Sequence, residues 1–185
     1  ASGGTFNYAA STVTGTADAK TVTISSVTGG TLNMGTGVET LTVDSTGSAN
    51  TLAGLSTSAT TLNITGSSNL TINAAGELTA QTTIDASAAT GSISLQTDTT
   101  VANSITTGSG NDSITADGSN DVIETISVGA GNDTVTFDGN LANKDVIDGG
   151  EGTDTLASTF ALLDGLTNAT AATDNISNFE ALTFT

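Results

Sequence analysis

Apolar residues recur along this chain in short alternating triplets: Val22-Thr23-Ile24, Leu32-Asn33-Met34, Leu41-Thr42-Val43, Leu62-Asn63-Ile64, Leu70-Thr71-Ile72 and Ile93-Ser94-Leu95. A period of two turns every second side chain to one face, which is the signature of a strand with one buried side. The leading residues Val22, Leu32, Leu41, Leu52, Leu62, Leu70 and Leu78 follow one another at 10, 9, 11, 10, 8 and 8 positions, and Gly, Ser, Asn and Asp fill the gaps. So regular a succession of tiny strands and turns is the rhythm of stacked coils. The pattern predicts an all-β chain, a parallel β-helix or β-roll solenoid with strands of about three to five residues. The competing all-β reading is an antiparallel sandwich, which also spaces strands at roughly 8–12 residues. Sandwiches, however, carry longer strands and large core aromatics.

Helix signals are confined to residues 158–173, where Gly165 and several threonines weaken them. A short helix there would suit an end cap over the last coil's open edge. Composition then narrows the core. Only 3% of the 185 residues are aromatic, while Thr (39) and Gly (22) dominate. A thin core of Val, Ile, Leu and Ala follows, with threonine on the outward faces.

The chain has no His, Cys, Pro or Trp. Nucleophilic sites built on imidazole or thiolate are thereby excluded, as are zinc and iron–sulfur centres. Any metal must be held by oxygen. A net charge of −17 repels phosphate backbones and anionic lipid, so no nucleic-acid partner is expected. No stretch approaches the roughly 20 apolar residues of a spanning helix, so no membrane insertion is expected either. Paired carboxylates can hydrolyse glycosides, yet one Tyr, five Phe and no Arg offer little with which to hold sugar. The chain is therefore expected not to be an enzyme. Thr-x-Thr pairs such as Thr21/Thr23 and Thr40/Thr42 suggest an ice-binding face, but they do not recur on every coil.

Charge is concentrated: ten of the 19 acidic residues fall between Asp112 and Asp154. Within that stretch, 107–115 (TGSGNDSIT) and 128–136 (VGAGNDTVT) share one template, and 149–157 (GGEGTDTLA) fills the nonapeptide G-G-x-G-x-D-x-U-x completely, U being aliphatic. Asp121-Val122-Ile123 and Asp145-Val146-Ile147-Asp148 keep the Asp-x-aliphatic half without the glycines. Five aspartates, Asp112, Asp121, Asp133, Asp145 and Asp154, thus recur at 9, 12, 12 and 9 positions. The glycines Gly108, Gly110, Gly129, Gly131, Gly150 and Gly152 admit backbone conformations closed to other residues and leave carbonyl oxygens facing into the turn. The Asp carboxylate two residues after the last Gly reaches the same place. Stacked coils would then gather six or more oxygens around each cation, which suits Ca²⁺ better than the tighter, water-retaining Mg²⁺. Asp148 is a further candidate ligand or a water-facing charge. Asp117, Glu124, Asp138 and Glu151 read as solvated charges, and Glu39 and Glu180, each before a strand, as turn-capping acceptors.

These nonapeptides resemble the RTX repeats of bacterial proteins exported by type I secretion, which implies calcium-binding β-rolls with several Ca²⁺ ions between turns. The phrases 60–66 (TTLNITG), 69–72 (NLTI) and 83–91 (TIDASAATG), and the echo of 38–43 (VETLTV) in 179–184 (FEALTF), are similar to those of crystalline surface-layer proteins of Gram-negative bacteria. That resemblance implies a secreted, Ca²⁺-dependent structural protein that self-associates into a lattice on the bacterial cell surface. Large RTX adhesins use similar phrases, and that resemblance implies the alternative of an adhesive binding module, for which a cell-surface polysaccharide is the candidate partner. The expected organisation is a Thr-rich β-helix over 1–100, a calcium-binding roll over 101–157, and a closing segment over 158–185 with a final strand.

Overall fold

The alternating triplets become two parallel sheets facing each other across one layer of aliphatic side chains. The computed structural model describes residues 4–8, 13, 15–73, 78–97, 101–116, 122–137, 141, 145–159 and 175–184. The first sheet stacks nine strands in chain order: Thr5–Asn7, Thr28–Gly35, Asn50–Thr57, Leu70–Ile72, Ile93–Gln96, Ser113–Ala116, Thr134–Phe137, Thr155–Ser158 and Ala181–Phe184. The second stacks eight: Ala19–Ser25, Thr40–Thr46, Thr61–Gly66, Thr83–Asp85, Ser104–Thr106, Thr125–Ser127, Val146–Asp148 and Asn175–Ser177. The chain alternates between the sheets, and every strand pairing is parallel. A two-strand ladder, Ala130–Gly131 with Glu151–Gly152, joins two of the turns.

Register places like over like. Ile84, Ile105, Ile126 and Ile147 form one column, and Leu95, Ile114, Val135 and Leu156 form the facing one. All eight are buried, and burying each aliphatic side chain contributes about 1.5–3 kcal/mol. Phe137 joins them as the largest fully buried side chain. Outward positions hold Thr and Ser, as the period-two pattern requires.

The parallel solenoid, not the sandwich, is the fold, and it departs from the sequence reading in detail. Thr28–Gly35 and Asn50–Thr57 are eight residues each, longer than expected. Leu78 is buried but stands in a connection, not a strand. No helix occurs among the described residues. Ser158 ends a strand, and 160–174 lie outside the described residues. The expected final strand is present as Ala181–Phe184, seated on Thr155–Ser158. Leu70–Ile72, Ile93–Gln96 and Ser113–Ala116 stay paired in the first sheet, and Thr83–Asp85, Ser104–Thr106 and Thr125–Ser127 in the second, so both ladders continue across the change in side-chain chemistry.

Candidate metal centre

Three glycine-rich turns, 107–112, 128–133 and 149–154, each lead from the second sheet into the first and stack along one edge of the roll, the near edge. Their backbones approach closely. Gly131 and Gly152 have φ of +140° and +147°, which a side chain adopts only under strain. A Cβ on either would collide with the carbonyl oxygen of the glycine one coil earlier, Gly110 or Gly131. The Ala130 and Glu151 amides donate to the Gly108 and Gly129 carbonyls, both at 2.8 Å, so each of these carbonyls keeps a second lone pair. Gly150 is half-buried, like Gly108, Gly110 and Gly129.

The aspartates that close these turns point inward. Asp112, Asp133 and Asp154 are at most 2% exposed. In each, one oxygen is engaged: Asp112 Oδ1 accepts the Ile93 amide at 2.7 Å, Asp133 Oδ1 the Asp112 amide at 2.6 Å, and Asp154 Oδ1 the Asp133 amide at 2.8 Å. The last two bonds each span 21 residues, one coil. The other oxygen, Oδ2, has no hydrogen-bond partner in any of the three. Burial pushes the Asp112 carboxyl above the ordinary value and Asp133 up to about 6, the latter aided by the negative charges of Asp112 and Asp154. Buried carboxylates with an unsatisfied oxygen are costly, and a hard cation satisfies them with the only donor type this chain offers.

The same edge is neutral in the first half. Asn50 Oδ1 accepts the Val27 amide at 2.7 Å, and its Nδ2 donates to Ser45 Oγ and the Thr46 carbonyl. A carboxamide satisfies itself there; a carboxylate cannot.

The structure divides the five recurring aspartates. Asp112, Asp133 and Asp154 share the near edge, whereas Asp145 lies on the far edge, where the chain returns to the second sheet. Asp121 lies outside the described residues, and its following Ile123 is 44% exposed, so Asp121-Val122-Ile123 does not lead into a core strand. The equivalent residue is Glu124, which precedes Thr125-Ile126-Ser127 in register with Asp145. Glu124 is 1% exposed, contrary to its expected solvation, because the coil period carries it to the inward-facing position. Its Oε2 accepts the Asn103 amide at 3.2 Å, and Asp145 Oδ1 accepts the Glu124 amide at 2.9 Å. Glu151 is exposed as expected, and Asp117 and Asp138 lie outside the described residues. Asp148 Oδ1 accepts from Gly150 N, Ser177 Oγ and Asn178 Nδ2 at 3.1, 3.4 and 2.6 Å, tying the turn to the last coil. Glu39 and Glu180 cap turns as read: Glu39 Oε2 accepts the Asp18 amide and Glu180 Oε2 the Asp154 amide, both at 2.8 Å.

Among the described residues no three acidic side chains converge on one point. A shell of six or more oxygens must therefore draw on backbone carbonyls and on carboxylates of adjoining coils, which stacked turns supply. No curated protein and no solved structure matches the chain. Residues 99–135 and 142–158 match the family model of the RTX calcium-binding nonapeptide repeat, in four copies. Over those stretches the chain carries RTX-type calcium-binding nonapeptide repeats, and repeats of this type bind several Ca²⁺ ions between their turns.

Proposed function

We propose that the chain is a calcium-dependent structural segment of a secreted bacterial surface protein of the surface-layer kind, exported by type I secretion. In this reading Asp112, Asp133 and Asp154 hold the ions together with carbonyls of Gly108, Gly110, Gly129, Gly131, Gly150 and Gly152. The observation that carries it is the column of three buried Oδ2 atoms without partners. Without metal each such atom costs about 1–3 kcal/mol, and the like charges repel across the coils. The thin aliphatic core leaves little margin to absorb both. Bound Ca²⁺ removes the two penalties together and couples binding to folding. Extracellular levels, roughly 10⁻⁴–10⁻³ M, suit sites of this kind, so the roll forms after export. The role is structural and not catalytic, in keeping with a chain that has neither His, Cys nor Arg.

Far-UV circular dichroism during a calcium titration, with magnesium as control, tests the folding step. Strand signal is expected to rise with Ca²⁺ and not with Mg²⁺; identical spectra overturn the reading. Negative-stain microscopy tests the assembly step. Ordered sheets in calcium support a surface layer, whereas a monomer that binds cell-surface polysaccharide supports the adhesin reading.

A further inference from the structure

Strands alternate between the two main sheets, nine in one and eight in the other. With that odd total the first strand, Thr5–Asn7, and the last, Ala181–Phe184, are opposite edges of the same sheet. The eight-stranded sheet therefore starts one level late, at Ala19–Ser25. An apolar cavity of about 350 Å³ opens there, its walls including Phe6, Val22, Ile24, Val27, Leu32 and Leu52. At the other end of the stack Leu182 and Phe184 continue the inward columns of Leu156 and Ser158. They are nevertheless 57% and 58% exposed, because among the described residues no further coil follows them.

The two ends also match in hydrogen bonding. The Thr31 and Thr40 amides donate to the Gly4 and Asp18 carbonyls. Parallel pairing turns alternate residues to opposite neighbours, so Thr5, Asn7, Thr21 and Thr23 present N–H and C=O to the open side. At the other end the Ser177 carbonyl accepts the Gly149 amide, and the Ala181 amide donates to the Asp154 carbonyl. Ile176 and Leu182 thus present their backbone groups outward along the axis. Such edges recruit further strands.

We propose that a second copy of this chain docks end to end on the first, rotated half a turn about the stacking axis, with its Asn175–Ser177 pairing Thr5–Asn7 and its Ala181–Phe184 pairing Ala19–Ser25. The half turn keeps strands alternating between the sheets; without it Ala181–Phe184 would meet Thr5–Asn7, and one level of the other sheet would stay empty. The register that sets Leu182 on Val22 and Phe184 on Ile24 carries both side chains into the cavity and lays Ile176 against Phe6. It also sets Glu180 beside Lys20, the one cation among the described residues, and opposite charges there favour this partner and this register. The contact is heterologous and does not close on itself, so further copies extend it into a filament. The proposal rests on the surface-layer reading in taking the partner to be a second copy, and adds the surfaces that meet.

Sedimentation velocity of the full chain in calcium tests the contact. The wild type is expected to lengthen into a ladder of oligomers as its concentration rises. Thr21→Pro removes a donor from one end, at an edge position that tolerates proline, and Leu182→Lys puts a charge on the other. Each variant, with its fold in calcium checked by circular dichroism, is expected to stay monomeric. Mixed in equal amounts, the two are expected to give a species of twice the mass and nothing larger, since each keeps the end that the other has lost. Wild-type association by either variant alone, or a mixture that stays monomeric, overturns the end-to-end contact and leaves the surface-layer reading to other contacts. A wild type that is monomeric at every concentration overturns both. Should either variant fail to fold, Phe6→Lys and Leu182→Ser take their places in the same mixture.

Discussion

The carboxylate of Asp133 accepts the backbone N–H of Asp112 at 2.6 Å, so the side chain that enters one coil completes the turn of the coil before it. Asp154 does the same for Asp133. One oxygen of each aspartate serves the fold and the other is left for the ion. The two roles separate by substitution. Asp133→Asn keeps an oxygen for the Asp112 amide and removes the charge; calcium affinity is expected to fall while the metal-free chain melts no lower than wild type. Asp133→Ala strands a buried amide as well, at about 1–3 kcal/mol, and is expected to melt lower with or without calcium. Equal melting curves for the two variants in chelator would contradict the double role.

Acidity should partly replace the metal. Burial lifts Asp133 to about 6 and Glu124 to about 7 from ordinary values of 3.8 and 4.5. Between the unfolded and folded values the folded chain binds more protons than the unfolded one, so its stability falls as pH rises. The contribution is fully present below about pH 4 and lost through about pH 6–7. Calcium-depleted protein is expected to show more strand signal at about pH 4.5 than at about pH 7.5, and calcium affinity to rise over the same interval as protons leave the ligands. A depleted chain better ordered at the higher pH would refute the assignment.

Close stacking of the near turns makes one glycine critical and another expendable. Gly131→Ala meets both a positive φ and the Gly110 carbonyl. The φ alone costs about 1–2 kcal/mol, and the collision forces the coils apart. Gly4→Ala meets nothing within 4 Å. Calcium-induced circular dichroism should be lost in the first variant and retained in the second.

Asn50 tests the neutral stretch of the near edge. Asn50→Asp removes the donors to Ser45 Oγ and the Thr46 carbonyl and buries a charge where no glycine-rich turn supplies carbonyls. A loss of about 1–3 kcal/mol is expected, unrelieved by calcium, in a thermal melt. Rescue by calcium would show that the near edge binds metal along its whole length.

What the chain reveals without coordinates follows from periodicity. Leu41, Val43, Leu62 and Ile64 announce their strands by alternation, and Asp112, Asp133 and Asp154 announce their turns by the glycines before them. Glu124 was hidden. It lacks that frame, and Asp121, three residues earlier, offers a more familiar Asp-x-aliphatic phrase. Only the coil-to-coil register, Ile105 on Ile126 on Ile147, shows that Asn103, Glu124 and Asp145 occupy one position. A signal was present, a polar acceptor two residues before each of these isoleucines. Leu78 misled for the converse reason, since a buried aliphatic in a connection obeys no period.

The capping ladder has a direction. Every carboxylate in it reaches back toward the N-terminal side, Asp133 to Asp112, Asp154 to Asp133, Glu180 to Asp154. Deleting 175–184 would strip the Asp154 amide of its acceptor and expose the strand below, whereas trimming the first coils would take no acceptor from any of these amides. Between Asp112 and Glu180 each coil is thus latched by the one that follows it, like a zip with its teeth set one way, and losing a later coil loosens an earlier one.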